Sequence, residues 1–502
     1  MTCLVGIDIG TSACKVAVFT PEGRVIAQAS RDYAVYYPAP GWAEQDPADW
    51  WRAACEALRE ALADINPAQV AGVGIDGQSW AAVALDGAGE VLCNTPIWMD
   101  TRAADCCRDA LDSISAERLF AVCGNPLQPT YTLPKVLWYR AHRPALFARI
   151  SKILQCNGYI AYRLTGSMTQ DVSQGYGWHC FDMRRATWDA EVLRALALSP
   201  ALLPEIVPCH QVIGRVTARA AAQSGLTEGT PVVAGGLDAA CGTLGAGVHL
   251  PGQTQEQGGQ AGGMSICMQE PVADPRLILS QHVVPGRWLL QGGTVGGGGA
   301  LRWLSEQLFS PQERAARGGE VFAALSALAA DVPPGSDGLV FLPYMAGERS
   351  PIWDARAKGV YYGLDYAKTR GHLARACMEG VAYALRHNLE VAAQAGAQVG
   401  AMHAMGGSAN SRVWTQIKAD ATGHALHVPA SDTATTLGAA LLAGVGTGVY
   451  ADFTEAVQRT VRITRTHTPD PSARPAYDAG YAAYRGLYEQ LHSMMDDTNG
   501  KL

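Results

Sequence analysis

The N-terminal segment alternates short apolar runs with turn residues, a pattern that predicts three consecutive strands. The strands are expected at Cys3–Asp8, Lys15–Thr20 and Arg24–Ser30, and they are joined by turns at Ile9–Ala13 and Pro21–Gly23. Glycine or proline in each turn allows the chain to reverse direction, as neighbouring antiparallel strands require.

A helix and a further strand follow the three predicted strands. Asp46 is expected to cap the helix, Pro47 to be its first residue, and Val70–Asp76 to form the strand. This order of elements is neither a simple meander nor a plain strand–helix–strand repeat. It predicts an α/β fold with a mixed sheet backed by helices.

A comparable block of elements restarts later in the chain. Pro231–Gly236 is its predicted first strand, and Asp238 opens a glycine-rich helix soon after it. Two copies of one plan would place a cleft between two domains, where small-molecule sites are favoured. We therefore expect two domains, which span residues 1–245 and 246–502.

The composition and charge exclude several classes of protein. With 48% hydrophobic and 17% charged residues, the chain is typical of a globular protein and not of a disordered one. The 39 basic residues are outnumbered by 46 acidic ones and form no long run, which excludes binding to nucleic acid through phosphate charges. The segment nearest to a membrane span, Ala434–Tyr450, is rich in Gly and Ala and is predicted to be a buried helix with its turn.

Cysteine usage and the N-terminus both favour the cytoplasm. The 13 cysteines are scattered without a CxxC pair, which is typical of reduced thiols and not of a disulfide frame or a zinc site. The first residues lack the basic and long apolar stretches of a secretion signal. We therefore expect a cytoplasmic protein with no membrane partner.

The turn between the first two predicted strands carries residues that suit phosphate and magnesium. Gly10 allows backbone N–H groups to approach a phosphate, and the hydroxyls of Thr11 and Ser12 add donors. Asp8, at the strand end, suits Mg²⁺, which prefers carboxylate oxygens and water, and Lys15 adds a positive charge. An ordinary hairpin with a helpful glycine explains the same residues equally well.

Asp238 is the candidate for acid–base chemistry. It follows a predicted strand and begins a helix of small residues. A carboxylate at that place would face the cleft and would take or orient the proton of a substrate hydroxyl during phosphoryl transfer. The alternative is that Asp238 only caps the helix, and the sequence alone does not separate the two.

Polar residues next to tryptophans form a third candidate group. Gln78, Ser79 and Trp80 follow one predicted strand, and Trp98 and Asp100 follow the next predicted hairpin. Such residues suit a polyhydroxylated ligand, whose hydroxyls form hydrogen bonds while its C–H faces pack on aromatic rings. The alternative is that both tryptophans belong to the hydrophobic core.

The second half of the chain carries two glycine-rich stretches. Gly259 and Gln260 lie in a glycine cluster with a short run of residues on each side, within Gln255–Met268. Gly406, Gly407 and Asn410 occupy a predicted strand-to-helix turn that would admit the adenosine part of a nucleotide. A glycine pair occurs in many turns, so it does not by itself identify a nucleotide site.

The motifs that are missing narrow the function further. The absence of GxxxxGK[ST] excludes a P-loop kinase, and the absence of a GxGxxG fingerprint after an opening strand disfavours a dehydrogenase. The segment Gly77–Ala81 lacks the second glycine of a GxSxG nucleophile elbow.

Taken together, these segments resemble the FGGY family of carbohydrate kinases, which belongs to the actin/hexokinase/Hsp70 fold superfamily. The most specific likeness is Leu342–Pro351 followed by Gly359–Leu364, which continues to Glu379 and is hard to reach by chance. The other matching motifs are Gly6–Ser12, Trp42–Pro47, Gly77–Gln78, Ile97–Arg102 and Lys135–Trp138. Several of them are similar to the xylulokinase-like branch of the family.

The resemblance implies an ATP-dependent sugar kinase with two RNase H-like domains that close around a small-molecule sugar; a homodimer is among the assemblies usual in the family. Asp238 would be the catalytic base, and Asp8 would support Mg²⁺. ATP would contact Gly10, Thr11, Ser12, Lys15, Gly259, Gln260, Gly406, Gly407 and Asn410. The sugar would lie among Gln78, Ser79, Trp80, Trp98 and Asp100.

The sequence also departs from the family pattern. Ser79 and Trp80 stand where typical xylulokinases carry Met-His, and Ala239 replaces an asparagine after the catalytic aspartate. Gln260 and Ala261 replace a hydroxyl-bearing pair in the second phosphate motif. The resemblance to the xylulokinase-like branch implies phosphorylation of a ketopentose. It leaves open another ketose or a polyol, or a nucleotide- and sugar-binding regulatory protein with weakened phosphotransfer.

Overall fold

The computed structural model describes residues 2–430 and 433–497 of the chain. The first half contains the strands β1 (Cys3–Ile9), β2 (Ala13–Phe19), β3 (Val25–Asp32), β4 (Glu44–Gln45), β5 (Val70–Gly77), β6 (Val83–Leu85), β7 (Thr95–Pro96), β8 (Lys152–Leu154), β9 (Thr169–Asp171), β10 (Phe181–Asp182), β11 (Thr187–Trp188), β12 (Glu205–Val207), β13 (Val212–Arg215), β14 (Pro231–Val233) and β15 (Gly236–Leu237). Its helices are α1 (Pro47–Ala61), α2 (Ala104–Ser113), α3 (Ala116–Cys123), α4 (Thr132–His142), α5 (Pro144–Phe147), α6 (Cys156–Thr165), α7 (Ala190–Ala195), α8 (Ala218–Ser224) and α9 (Asp238–Gly245).

The second half has the same mixture of strands and helices. Its strands are β16 (Thr254–Gly258), β17 (Gly262–Met268), β18 (Ile278–Gln281), β19 (Trp288–Thr294), β20 (Val340–Leu342), β21 (Val360–Tyr362), β22 (Met402–Met405), β23 (Leu426–Pro429) and β24 (Ile463–His467). Its helices are α10 (Gly298–Leu308), α11 (Pro311–Arg317), α12 (Val321–Ala330), α13 (Arg370–Gln394), α14 (Arg412–Thr422), α15 (Ala434–Gly446), α16 (Phe453–Thr460) and α17 (Arg474–Asp497).

The two large sheets repeat one topology. The first has the order β13-β14-β5-β1-β2-β3, with β15 also paired to β5, and the second has the order β18-β19-β17-β16-β22-β23-β24. Strand β1 pairs antiparallel with β2 and parallel with β5, and β16 likewise pairs antiparallel with β17 and parallel with β22. The predicted α/β fold, with mixed sheets flanked by helices, is therefore confirmed.

The second copy of the plan begins later than the sequence pattern predicts. Pro231–Val233 does not open it, because this strand pairs with β5 and β13 in the first sheet. The first strand of the second sheet is Thr254–Gly258. A strand in a parallel region is buried on both faces, so its apolar composition does not reveal to which sheet it belongs.

Helix α15 comes from the second half and covers the first sheet. It packs on β1 and β5, and it also packs on α9. A side chain at Gly6 or Gly74 would overlap a carbonyl oxygen of this helix, at Thr436 or Ala439 respectively, so both positions need glycine. The prediction of a buried helix in this segment is confirmed, and the helix begins next to the carboxyl end of β1.

Candidate active site

Three aspartates lie side by side at the carboxyl ends of three neighbouring strands. Asp8 pairs with Asp76 across the parallel strands β1 and β5, and Gly236 of β15 pairs with Asp76 on the other side. Asp238 follows β15 directly, so it belongs to the same edge of the sheet. Open α/β sheets bind their ligands at this edge.

Asp238 is the first residue of α9 and is partly exposed. Its Oδ1 accepts a hydrogen bond of 2.6 Å from the N–H of the next residue, Ala239. In a helix cap, by contrast, the side-chain oxygen of the residue before the helix accepts a hydrogen bond from an N–H two or three positions later in the chain. Burial, and then the charge of Asp8, raise the pKa of Asp238 to about 7. Such a carboxyl group suits a general base, since it ionises near neutral pH and still binds a proton strongly.

The turn between β1 and β2 places Gly10, Ser12 and Lys15 beside Asp8. The Gly10 N–H donates to the carbonyl of Ala13 at 3.1 Å, which closes the turn. Ser12 is exposed, and the Nζ of Lys15 lies 3.5 Å from Oδ2 of Asp8 while most of its side chain faces solvent. The hydroxyl and the ammonium are therefore accessible to an anion.

A cavity of about 480 Å³ adjoins this turn. Its walls include Asp8 and Lys15 from the first half, and Thr435 and Thr436 at the beginning of α15. The positive end of a helix dipole and nearby hydroxyl donors favour anions, so the cavity suits phosphate groups. Sequence reasoning missed the two threonines, because only the packing of α15 on β1 brings them to the turn.

Trp98 links the predicted sugar side of the site to this turn. Its Nε1 donates to the hydroxyl oxygen of Thr11 at 2.9 Å, and the Thr11 carbonyl accepts from Nε2 of Gln45 at 2.7 Å. Trp98 is partly exposed. Because its single donor is used within the protein, only its ring is left to face a ligand.

Gln78 and Asp100 are buried and bond to other protein groups. Nε2 of Gln78 donates to Oε1 of Gln45 at 2.7 Å. Both carboxylate oxygens of Asp100 accept from the Arg102 guanidinium, and Oδ2 also accepts from the N–H of Ala43 at 2.7 Å. Neither side chain is exposed to the cleft. The structure thus places both side chains inside the protein, and the expectation that both surround the sugar stays a prediction.

Trp80 and Ser79 follow β5 and are partly exposed. Trp80 has a φ angle of 60°, which is unusual for a residue other than glycine. Its ring packs against Tyr131 and Tyr176 with centroid distances of 4.4 and 5.8 Å. Its Nε1 is buried and has no hydrogen-bond partner among the described residues. An aromatic wall with one unused donor therefore stands beside the aspartates.

Lys135 lies beneath the aromatic wall of Trp80, Tyr131 and Tyr176. It belongs to the family motif Lys135–Trp138, but the resemblance implied no role for this lysine. Its Nζ donates to the carbonyl oxygens of Trp80 at 2.9 Å, Ile97 at 2.7 Å and Thr130 at 2.7 Å. The three donors of an ammonium match these three acceptors. Burial lowers the pKa of Lys135 to about 7. Lys135 therefore connects the backbone segments that carry Trp80 and Trp98.

A second cavity, of about 510 Å³, lies at the carboxyl ends of β16 and β22. The predicted nucleotide-binding residues Gly259, Gln260, Gly407 and Asn410 all line it. The other lining residues are Gly258, Gly298, Leu301, Arg302, Phe322, Ala323, Ser326, Ser408, Ser411 and Trp414. Its size, and its walls of both polar and apolar residues, suit a nucleoside, whose base is flat and whose ribose carries hydroxyls.

Gln260 keeps a donor at the second phosphate motif despite the departure from the family pattern. Its side chain is exposed and lies against Gly299 at the beginning of α10. Backbone bonds join the two loops, from the Gly298 N–H to the carbonyl of Gly259 at 2.8 Å and from the Gly299 N–H to that of Gln260 at 2.9 Å. The amide is therefore held at a helix N-terminus, where anions are favoured.

A buried ion pair supports the nucleotide cavity from below, and sequence reasoning missed it. Nζ of Lys418 donates to Oε1 of Glu256 at 2.6 Å and to Oγ of Ser408 at 2.7 Å. Lys418 and Glu256 lie 162 positions apart, so no local pattern in the sequence marks them as partners.

Replacing Gly406 with Ala is expected to raise the KM for ATP about 10-fold, because the loop must leave its present backbone conformation. Gly406 has a φ of 82°, and a Cβ there would lie 2.8 Å from the carbonyl oxygen of Gly258. Steady-state kinetics at varied ATP would measure the effect. Gly448 also has a positive φ but open space around it, so Gly448→Ala should change stability and leave this KM unchanged. An equal KM in both variants would contradict the placement of ATP.

Comparisons with known proteins identify the family of this chain. Two models of the FGGY family of carbohydrate kinases match the chain, the N-terminal domain at residues 3–245 and the C-terminal domain at residues 266–447. A xylulose kinase from Escherichia coli (strain K12) is 32% identical over 495 residues, which cover 98% of this chain and 99% of the relative.

Solved structures are similar over nearly the whole chain. The crystal structure of a xylulose kinase from Rhodospirillum rubrum has a TM-score of 0.90 and 34% identity, and the match covers 98% of this chain and 100% of that one. The structure of a gluconate kinase from Lactobacillus acidophilus has a TM-score of 0.91 and 25% identity, with 99% of each chain covered.

In residues 2–430 and 433–497, no helix is both long and apolar enough to cross a bilayer. Both family models and the similar proteins that cover nearly the whole chain agree on the family. This chain is therefore a member of the FGGY family of carbohydrate kinases, and it is a sugar phosphotransferase that uses ATP as its phosphate donor.

Proposed function

We propose that this protein transfers the γ-phosphoryl group of ATP to a hydroxyl of a ketopentose-type sugar, with Asp238 as the base. The observation that supports this most is the position of Asp238, a partly exposed carboxyl group at the carboxyl edge of the first sheet. Its pKa of about 7 suits the transfer of a hydroxyl proton.

The reaction is a single displacement at phosphorus. The sugar hydroxyl gives its proton to the Asp238 carboxylate as its oxygen bonds to the γ-phosphorus. The bond from that phosphorus to the β–γ bridging oxygen breaks, and ADP leaves with the electron pair. Positioning and charge stabilisation supply most of the catalysis in such transfers.

ATP would lie across the two cavities. Its adenosine part would occupy the cavity of about 510 Å³, between the turn at Gly406 and the loop at Gln260. Its phosphates would reach toward Lys15 and the beginning of α15, which line the cavity of about 480 Å³. Donors from both halves would then surround the phosphates, and closure of the halves would exclude water from the transfer.

The acidic edge of the first sheet fits Mg²⁺. Asp8 is nearly buried but lines the cavity proposed for the phosphates, and the carboxyl group of Asp76 beside it has no hydrogen-bond donor in the described part of the chain. Carboxylate oxygens are the protein ligands that Mg²⁺ prefers, so the residues present fit the ion. We propose that Asp8 holds it. The ion, when bound, would neutralise charge on the phosphate oxygens.

The sugar would lie between Asp238 and the aromatic wall. Trp80 and Trp98 would pack on its C–H faces, and the hydroxyl of Ser79 would contact its hydroxyls. The likeness to xylulose kinases favours a ketopentose. Because Trp80 and Ala239 depart from the pattern of typical xylulokinases, another ketose or a polyol is the alternative.

An assay of ADP release across a panel of sugars tests the proposal. The panel would contain ketopentoses, ketohexoses, pentitols and gluconate, each with ATP and Mg²⁺. We expect the highest kcat/KM for a ketopentose. A higher value for another member would reassign the substrate, and the absence of ADP release with every member would contradict the proposed activity.

A second candidate is a nucleotide- and sugar-binding regulatory protein with weakened phosphotransfer. The amide of Gln260 and the methyl of Ala261, in place of hydroxyls, favour it. Calorimetry would separate the two candidates, because tight binding of ATP and sugar without ADP release is expected only of the regulatory protein.

Three expectations from the sequence stay predictions. The division of the chain into residues 1–245 and 246–502, a homodimer and a cytoplasmic location have no test in the structure or the comparisons. Size-exclusion chromatography with light scattering would test the homodimer.

A further inference from the structure

Asp76 is a buried carboxylate that the proposed reaction does not use. Its exposed fraction is 0%. Neither of its carboxylate oxygens has a hydrogen-bond partner that serves as a donor in residues 2–430 and 433–497. Buried polar groups of folded proteins are almost always paired, so this side chain calls for an explanation.

The surroundings of Asp76 are acidic. Asp76 pairs with Asp8 of the adjacent strand β1, and the two carboxyl groups are within hydrogen-bonding reach of each other. Asp238 adds a further acidic group, because it follows β15 directly and Gly236 of β15 pairs with Asp76. The cation that offsets them is Lys15, which is largely exposed and 3.5 Å from Asp8.

One exposed ammonium does not balance three acidic groups at a buried edge. A divalent cation would, because it brings two charges and takes oxygen ligands. Mg²⁺ already belongs to the proposed function at Asp8, and the adjacent strand places a second carboxylate next to that residue. The unpaired oxygens of Asp76 then have a partner whenever the cation is bound.

We propose that Asp76 is a further ligand of the divalent cation at Asp8, so that carboxylates from the adjacent strands β1 and β5 bind it together, directly or through water. This inference rests on the proposed function, since it takes the cation from there. It assigns Asp76 a role in holding the cation and leaves proton transfer to Asp238.

Binding of Mn²⁺ in place of Mg²⁺ tests the proposal. The signal of free Mn²⁺ in electron paramagnetic resonance would be followed during titration of wild type and Asp76→Asn, each at the same ADP concentration. We expect the variant to bind Mn²⁺ about 10- to 100-fold more weakly. Affinity within twofold of wild type would overturn the proposal.

Asp420 offers a matched control in the second half. It is also a buried aspartate, but its Oδ1 accepts from Nε2 of Gln416 at 2.8 Å and from the Asp470 N–H at 2.7 Å. Asp420→Asn should leave Mn²⁺ affinity unchanged. Equal losses in Asp420→Asn and Asp76→Asn would show a general loss of structure and would overturn the role of Asp76.

Thermal unfolding separates a cation ligand from a structural residue. Removal of a buried acidic group that has no donor should raise the Tm of the cation-free protein, while the increase in Tm on addition of Mn²⁺ should shrink. A lower cation-free Tm with an unchanged Mn²⁺ increment would indicate a structural role. Asp76→Ala provides a second variant, and failure of both variants to fold without cation would also overturn the proposal.

The outcome is distinguishable from failure of the proposed function. Mn²⁺ binding needs neither sugar nor turnover, so it can depend on Asp76 even if no sugar of the panel is phosphorylated. Conversely, rapid phosphorylation of a ketopentose with Mn²⁺ affinity unchanged in Asp76→Asn would leave the kinase assignment standing and remove only the role of Asp76.

Discussion

Replacing Asp238 with Asn is expected to lower kcat for sugar phosphorylation by about 10²- to 10⁴-fold, the usual contribution of a general base. The asparagine side chain keeps the size of the original and retains an acceptor for the Ala239 N–H, but it does not take the hydroxyl proton. The dissociation constants of ATP and sugar should change little. Steady-state kinetics and calorimetry together would measure both quantities.

Asp452→Asn provides the control for this variant. Asp452 caps α16 through a bond of 2.8 Å from the Glu455 N–H to its Oδ1, and asparagine caps helices equally well. We expect its kcat to equal that of wild type. If Asp238→Asn kept more than a tenth of the wild-type kcat, Asp238 would not be the base.

The pH dependence follows from the same carboxyl group. Because Asp238 acts in its ionised form and its pKa is about 7, kcat/KM should rise with pH up to about 7 and then level off. This folded pKa lies above the value of about 3.9 in unfolded chains. The group therefore contributes stability that is present below about pH 4 and is lost as the pH rises through about 7. Asp238→Asn should remove both effects.

The elements that depend on neighbouring residues could be predicted from the sequence. The first three strands and α1 are confirmed, and Asp46 does cap that helix, since its Oδ1 accepts from the Ala48 N–H at 2.8 Å. Apolar period and turn residues decide such elements locally. The same holds for the helix that opens at Asp238, because the change from β-branched to small residues marks its beginning.

Features that depend on distant residues could not be predicted in this way. The pairing of β14 with β5 gave the second sheet a later start than expected. The neighbourhood of Asp8 and Asp76 depends on strand register between segments that are distant in the sequence. The burial of Gln78 and Asp100 could not be predicted either, since family likeness shows that a residue is near the site but not where its side chain points.

Replacing Lys135 with Met is expected to lower the free energy of unfolding and to raise the KM for sugar. Methionine has a similar length but no donors, so the carbonyls of Trp80 and Thr130 would lose the ammonium that they bind. The carbonyl of Ile97 would lose it too but would keep the Asp100 N–H at 3.0 Å. Each buried acceptor left without a donor costs about 1 to 3 kcal/mol, so the expected total for the two is about 2 kcal/mol or more. Urea unfolding would measure this loss.

The effect on sugar binding separates Lys135 from an ordinary stabilising residue. Trp80 holds a φ of 60° and Trp98 follows Ile97 directly, so both segments should shift when the shared ammonium is gone. We expect the KM for sugar to rise about 10-fold, the equivalent of about 1.4 kcal/mol, while the KM for ATP changes much less.

Lys152 provides a matched control for this effect. Its Nζ also donates to backbone carbonyls, those of Ala201 at 2.8 Å and Leu203 at 2.9 Å, and neither segment belongs to the proposed site. Lys152→Met should lose stability and keep both KM values, because no residue of the aromatic wall depends on it. If Lys135→Met also kept the KM for sugar, its role would be structural, and the geometry around Trp80 and Trp98 would have to be maintained by the packing of Trp80 on Tyr131 and Tyr176.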